Sequence, residues 1–164
     1  MILIVDSSAL VALAVVDQLD ILEALFGEVY VPKAVYDEVC QQGKGESEKL
    51  ALYCKDKVLD IGSRVDLNIT LGRGESEAII LYKERSADFL LCDDKKAKKF
   101  AMRFGVNVIG SLGILIKAKE KQIILEIAPL IEKLKASKIY IDDKTCKLVL
   151  KMSGEDEEKQ SIEE

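Results

Sequence analysis

Ile2-Leu3-Ile4-Val5-Asp6-Ser7-Ser8-Ala9-Leu10 is the stretch that sets the fold class. Residues 2–5 read as a buried strand. An acid follows at once, and from Ser7 to about Val16 the apolar residues repeat with helical spacing, with Ser7 or Ser8 as the N-cap. Phe89-Leu90-Leu91-Cys92-Asp93-Asp94 repeats the figure: an apolar run ends in acid, and a helix over 95–104 follows. In an open parallel α/β sheet, ligands bind outside the carboxyl ends of the strands. Asp6 and Asp94 therefore stand where carboxylates gather, and crowded carboxylates repel unless a cation or protons lie between them.

Working outward, Leu19 to Phe26 reads as a short helix stopped by Gly27, and 28–31 as a strand. Pro32 then opens a helix over 33–42. Further helices are expected over 46–55, 75–85, 95–104 and 111–121, with strands over 57–61, 89–92 and 106–109 and a loop over 68–74. Ile123 to Leu134 reads as helical, with Pro129 predicting a kink or break. Residues 139–152 give no clear pattern, and the polar chain after Gly154 is expected to be disordered. Strands alternating with helices predict an α/β fold, three layers of α/β/α around a central parallel sheet. No linker or internal repeat divides it, so the expected domain is 1–152, followed by an acidic tail over 153–164.

The chain has 164 residues, 49% hydrophobic and 32% charged, enough for a compact core. No apolar stretch approaches the roughly 20 residues of a membrane helix. The amino-terminal run lacks a basic segment and is broken by Asp6, so it reads as a strand rather than a signal peptide. Four scattered cysteines, Cys40, Cys54, Cys92 and Cys146, suit free thiols in a reducing cytoplasm. The absence of histidine removes Ser-His-Asp triads and His-ligated zinc. The net charge is −5, and residues 151–164, with six acids and two lysines, hold −4 of it. Charge as a whole gives no support for nucleic-acid binding, while leaving room for a local basic patch.

The acids that matter each have a structural reading beside the functional one. Asp6 closes a strand as a metal ligand would, and equally suits a helix N-cap. Glu38 lies next to the Val35/Val39 stripe, where it could point along the sheet top or sit as a solvated helix acid. Glu75 opens a helix, where it complements the helix dipole, and Glu77 competes with it about 200° around the helix. Gly72-Arg73-Gly74 lacks the strand of a dinucleotide fingerprint, and there is no P-loop. Of Asp93 and Asp94, capping explains one. Lys96, Lys99 and Arg103 share a helix face, either solvated or set against phosphate.

In order along the chain, these segments resemble the PIN-domain family, above all the toxin-like nucleases of the VapC type. The motifs are Ile4-Val5-Asp6-Ser7-Ser8-Ala9-Leu10, Val31-Pro32-Lys33-Ala34-Val35-Tyr36-Asp37-Glu38-Val39, Leu71-Gly72-Arg73-Gly74-Glu75-Ser76-Glu77-Ala78-Ile79, Leu90-Leu91-Cys92-Asp93-Asp94-Lys95-Lys96-Ala97 and Gly105-Val106-Asn107-Val108-Ile109-Gly110-Ser111. The resemblance spans about residues 1–150 and looks nearest to a PIN-like branch with Gly-Glu and Asp-Asp forms. It implies a Mg²⁺- or Mn²⁺-dependent endoribonuclease whose acids are Asp6, Glu38, Glu75 and Asp94. Metal would fall to Asp6, Glu75 and Asp94 with Asp93 beside them, and Ser8 would support the site. Lys96, Lys99, Arg103 and Arg73 would hold the RNA backbone. Two departures stand out: Glu75 replaces the Asp usual in toxins, and Cys92 replaces Thr or Ser. The resemblance also brings in a homodimer and a cognate antitoxin protein as expected partners. The rival readings are a non-catalytic PIN fold that binds RNA or protein, and a receiver-like domain. The latter lacks its strand-terminal lysine, since Val106–Ile109 runs into Gly110-Ser111.

Overall fold

The structure is a computed structural model describing residues 1–41, 43, 45–63, 71–137 and 139–156. Two compact units form, Met1–Ser111 and Leu112–Glu164. No linker composition marks the boundary, which falls at the first residue of a helix.

The first unit is built on five parallel strands: β1 (Ile2–Val5), β2 (Glu28–Pro32), β3 (Val58–Leu59), β4 (Phe89–Leu91) and β5 (Val108–Ile109). Their order across the sheet is β3-β2-β1-β4-β5. Chain order therefore runs outward from β1 to one edge and then restarts on its other side, at β4. The junction of β1 and β4 is the topological switch point, where open α/β sheets place their ligands. Register aligns the strand ends there: Val5 pairs with Leu91, and Leu91 with Ile109. Asp6, Cys92 and Gly110, one residue further on, stand in a row along the carboxyl edge.

Helices α1 (Ser7–Val15), α2 (Ile21–Phe26), α3 (Lys33–Val39), α4 (Ser47–Cys54), α5 (Arg73–Glu84) and α6 (Lys95–Arg103) complete the α/β/α layers. Side-chain alternation along the strands explains how the layers form. Ile4, Leu90 and Cys92 pack with Ala78, Leu81 and Tyr82 of α5 and Ala97 and Ala101 of α6. Phe89, of opposite parity, meets Phe26 of α2 edge-on at 5.7 Å. Leu3, Ile4 and Val5 are fully buried, each worth about 1.5–3 kcal/mol of transfer free energy. α1 is apolar on every side, and it is buried accordingly at Ala9, Leu10, Ala12, Leu13 and Ala14.

In the second unit, α7 (Ser111–Glu120) continues from the boundary, followed by α8 (Ala128–Ala136) and α9 (Asp143–Ser153). Two expectations change here. Pro129 sits in the first turn of α8 and starts a helix, so it does not kink one running from Ile123; its missing N–H is an orphan donor in any first turn. The unassigned stretch 139–152 holds α9, capped by the Asp142 carboxylate on Thr145 N and closed by Gly154 in the left-handed conformation. The polar tail is folded as far as it is described. Glu155 accepts from Ile127 N at 2.7 Å and Ala128 N at 2.8 Å and pairs with Lys119 at 2.5 Å. Residues 157–164 of the expected tail, and 68–70 of the expected loop, lie outside the described residues. No helix among the described residues is long and apolar enough to cross a membrane. All four cysteines are free, three of them buried.

Candidate active site at the carboxyl edge of the sheet

Asp6 continues the alternation of Ile2 and Ile4, so its side chain enters the layer covered by α5 and α6. Its amide donates to Leu91 O at 2.8 Å, one more rung of the β1–β4 ladder. Its Oδ1 accepts from Ser7 N at 2.8 Å and its Oδ2 from the Cys92 thiol at 3.4 Å. Of the candidate N-caps Asp6, Ser7 and Ser8, the one that caps α1 is Asp6, and Ser8 is exposed. Asp6 is only 2% exposed. Burial is the main reason its carboxyl pKa rises from 3.8 to about 6; the Ser7 amide opposes the rise, and the charges of Glu75 and Glu38 add to it. Burial, then the neighbouring Asp6, push the Cys92 thiol well above its usual range, so it remains a protonated donor.

Glu75, in the first turn of α5, shares with Asp6 and Cys92 a small pocket floored by Ala78, Ile79, Leu90 and Ala97. The two glycines before it have a steric purpose. A Cβ on Gly72 would collide with the Glu75 carboxylate, and one on Gly74 would stand 3.0 Å from Glu38 Oε2. Bare backbone at both positions lets two acids approach. Glu38, on α3, is itself exposed. Glu77 resolves the competition with Glu75. It is buried, and its carboxylate accepts from Ala34 N at 2.8 Å and faces Arg73 Nε at 3.3 Å. Pro32, the N-cap of α3, has no side-chain acceptor, so Glu77 satisfies a first-turn amide from across the structure. It thereby ties the helix carrying Glu38 to the helix carrying Glu75.

The two aspartates after β4 take separate tasks. Asp94 caps α6 through Oδ1 on Ala97 N at 2.7 Å. Both oxygens of Asp93 are taken by Ser111, Oδ1 by its amide at 2.7 Å and Oδ2 by its hydroxyl at 2.6 Å. A Cβ on Gly110 would sit 2.9 Å from Asp93 Oδ1, so glycine is needed for that clamp. Lys96, Lys99 and Arg103 are exposed on α6, and none is drawn into an ion pair among the described residues.

A buried aspartate at a switch point is met by a glutamate from the next layer. A family described as a PIN domain, DUF3368, matches residues 2–155. The chain belongs to the PIN-domain family. Among solved structures, a PilT N-terminus domain protein from the hyperthermophilic archaeon Sulfolobus solfataricus P2 is similar. It shares 21% identity at a TM-score of 0.57, over 72% of this chain and 93% of that one. No curated protein matches. PIN domains are in general metal-dependent nucleases, and the fold here is of that nuclease type.

The donor set of this PIN domain suits a hard cation in part. Asp6 and Glu75 offer carboxylate oxygens in one pocket, and the raised Asp6 pKa reports the repulsion and desolvation that a cation would relieve. Among the described residues, no three Asp, Glu or Cys side chains converge as a finished cage. Mg²⁺ does not require one, because it is commonly held by one or two carboxylates together with water and substrate phosphates. The structure brings Asp6 and Glu75 into one pocket, leaves Glu38 acting on Asp6 through its charge alone, turns Asp94 to its own helix, and gives Asp93 to Ser111. Sequence reasoning missed Glu77 as an organiser. Its available signal was Pro32, a helix start with no cap of its own.

Proposed function

We propose that this PIN domain is a Mg²⁺- or Mn²⁺-dependent endoribonuclease. The observation that carries the reading is the meeting of the buried Asp6 with the partly buried Glu75 in one pocket at the sheet's switch point, near enough to Glu38 for its charge to act on Asp6. Asp6 and Glu75 hold the ion, with Asp94 on the same edge as the third protein donor. Bound there, the ion makes water more acidic and stabilises charge on the phosphoryl and leaving oxygens. Glu38, exposed to solvent, is the acceptor for the proton of the attacking water; with no histidine in the chain, a carboxylate is the natural group for that task. Lys96, Lys99, Arg103 and Arg73 hold the phosphate backbone. Ser8 at the head of α1 and the clamped Asp93 support the edge. The remaining parts of the proposal rest on the toxin-like motifs: a cytoplasmic setting, a homodimer and a cognate antitoxin.

The test is digestion of total RNA with Mn²⁺ and with EDTA by wild type, Asp6→Asn and Asp94→Asn. Cleavage by the wild type in Mn²⁺ alone, reduced at least about a hundredfold in the variants, is expected. Equal residual cleavage by all three proteins would favour the second reading, a non-catalytic module that binds RNA or protein. The capping and clamping tasks of Asp94 and Asp93 are the observation on its side.

A further inference from the structure

Within the second unit, α8 and α9 are pinned together at both ends. Lys135 Nζ meets Asp143 at 3.6 Å at one end, and the Glu155 carboxylate holds Ile127 N and Ala128 N at the other. Between the pins lies an open cleft of about 1100 Å³, with the buried Ile131 and Cys146 at its base. The pins make the two helices antiparallel, so equal heights follow from the numbering. Glu132 and Lys147 each stand about one turn in from the Lys135–Asp143 pin, and Glu126 and Lys151 lie at the Glu155 end. All four line the cleft, acids on the α8 side and lysines on the α9 side. None of the four is in an ion pair among the described residues. α9 is also apolar on a side that its own unit leaves open. Cys146 and Val149 are buried, but Leu148, at the cleft, is 56% exposed and Met152, one turn on, 62%. Exposed apolar side chains beside unspent charges mark a surface that a partner covers.

The symmetry of the charge pattern selects the partner. When two copies face each other about a twofold axis running along the cleft, the α8 side of one lies over the α9 side of the other at the same height. Glu132 then meets Lys147 and Glu126 meets Lys151, and the axis repeats both pairs. A twofold axis across the cleft would instead set acid over acid and lysine over lysine. We propose that this cleft is the face through which two copies of the chain associate, with Leu148 and Met152 packed against the second copy and the four charges setting the axis. The surface is the one that the homodimer of the nuclease reading needs, and it rests on that part of the reading alone, not on cleavage.

Sedimentation across the micromolar range compares the wild type with Lys147→Glu/Lys151→Glu and with Glu126→Lys/Glu132→Lys, each checked for helix content by circular dichroism. A wild-type dimer is expected. Each double variant sets like charges face to face and should associate at least about a hundredfold more weakly. Mixed in equal amounts, the two variants should pair with each other. One seam of that heterodimer carries the exchanged charges, glutamates of one variant against lysines of the other, and its second seam is native. If a charge variant loses helix, Leu148→Ser/Met152→Ser takes its place and should dissociate the dimer as well. A wild-type monomer overturns the proposal. A dimer that the variants leave intact overturns it too, because the copies would then meet elsewhere. So does a mixture that stays monomeric, the cleft then facing a different protein or pairing its charges within one chain. Cleavage is read nowhere in the experiment, so loss of the dimer is distinguishable from failure of the nuclease reading.

Discussion

With a carboxyl pKa of about 6 in the fold against an ordinary 3.8, Asp6 holds its proton more tightly in the folded than in the unfolded chain. Between those values the unfolded state binds fewer protons, so stability falls as pH rises from about 4 through about 6 and stays reduced above. The full penalty is about 3 kcal/mol. Asparagine caps a helix as well as aspartate and carries no charge. Asp6→Asn should therefore be more stable than wild type at neutral pH by roughly 1–3 kcal/mol in EDTA, an advantage that disappears by about pH 4. Urea denaturation across that range checks it; a difference independent of pH would refute the electrostatic account. The same buried charge predicts a ligand effect. Mg²⁺ should raise the melting temperature of the wild type more than that of Asp6→Asn, because a cation that binds only the folded state stabilises it by mass action. Equal gains would mean that Asp6 is no ligand.

At the scale of elements, Glu77 joins α3 to α5 through a single buried acceptor. Glu77→Ala leaves Ala34 N unsatisfied, at a cost of about 1–3 kcal/mol, while Glu77→Gln keeps an acceptor oxygen and should lose less. Chemical denaturation of the two variants gives the ranking, and equal losses would assign the effect to charge rather than to the amide. The strands and helices of the first unit were readable because their apolar residues keep a strict period: Ile2 and Ile4 point where Asp6 follows, and Val35 and Val39 bury the face beside Glu38. Termini were less readable. Asp6, Ser7 and Ser8 are all good N-caps, and only tertiary burial selects Asp6. Pro129 starts α8 for a reason visible only with Glu155, whose carboxylate meets the first-turn amides from 27 and 28 residues away. α9 was hidden because its first half, Asp143 to Lys147, is polar but for Cys146. Gly72 and Gly74 were read only against a dinucleotide fingerprint, because the carboxylates that approach them are a tertiary fact.

Across the whole molecule, charge is divided by place rather than by sum: carboxylates on the sheet's edge, cations along α6, and a net −5 held mostly by the carboxyl-terminal residues. RNA affinity should therefore fall with salt despite the acidic total, and Lys96→Ala with Lys99→Ala should reduce the slope of log affinity against log salt by about 1.4–1.8. An unchanged slope would place the backbone elsewhere. The apolar helices α1 and α2 are largely consumed by the unit's own core at Leu10, Leu13, Ile21, Leu22 and Phe26. The proposed homodimer needs another surface, and sedimentation as a monomer at micromolar concentration would remove it. The central claim is that Asp6 and Glu75 share one divalent cation at the switch point. Calorimetric titration of Mn²⁺ into wild type, Asp6→Asn and Glu75→Gln tests it most directly. The account predicts a saturable site in the wild type, weakened at least about tenfold by either substitution, since a ligand should matter no less than the outer-shell groups that orient it. Mn²⁺ bound equally well by all three proteins would contradict it.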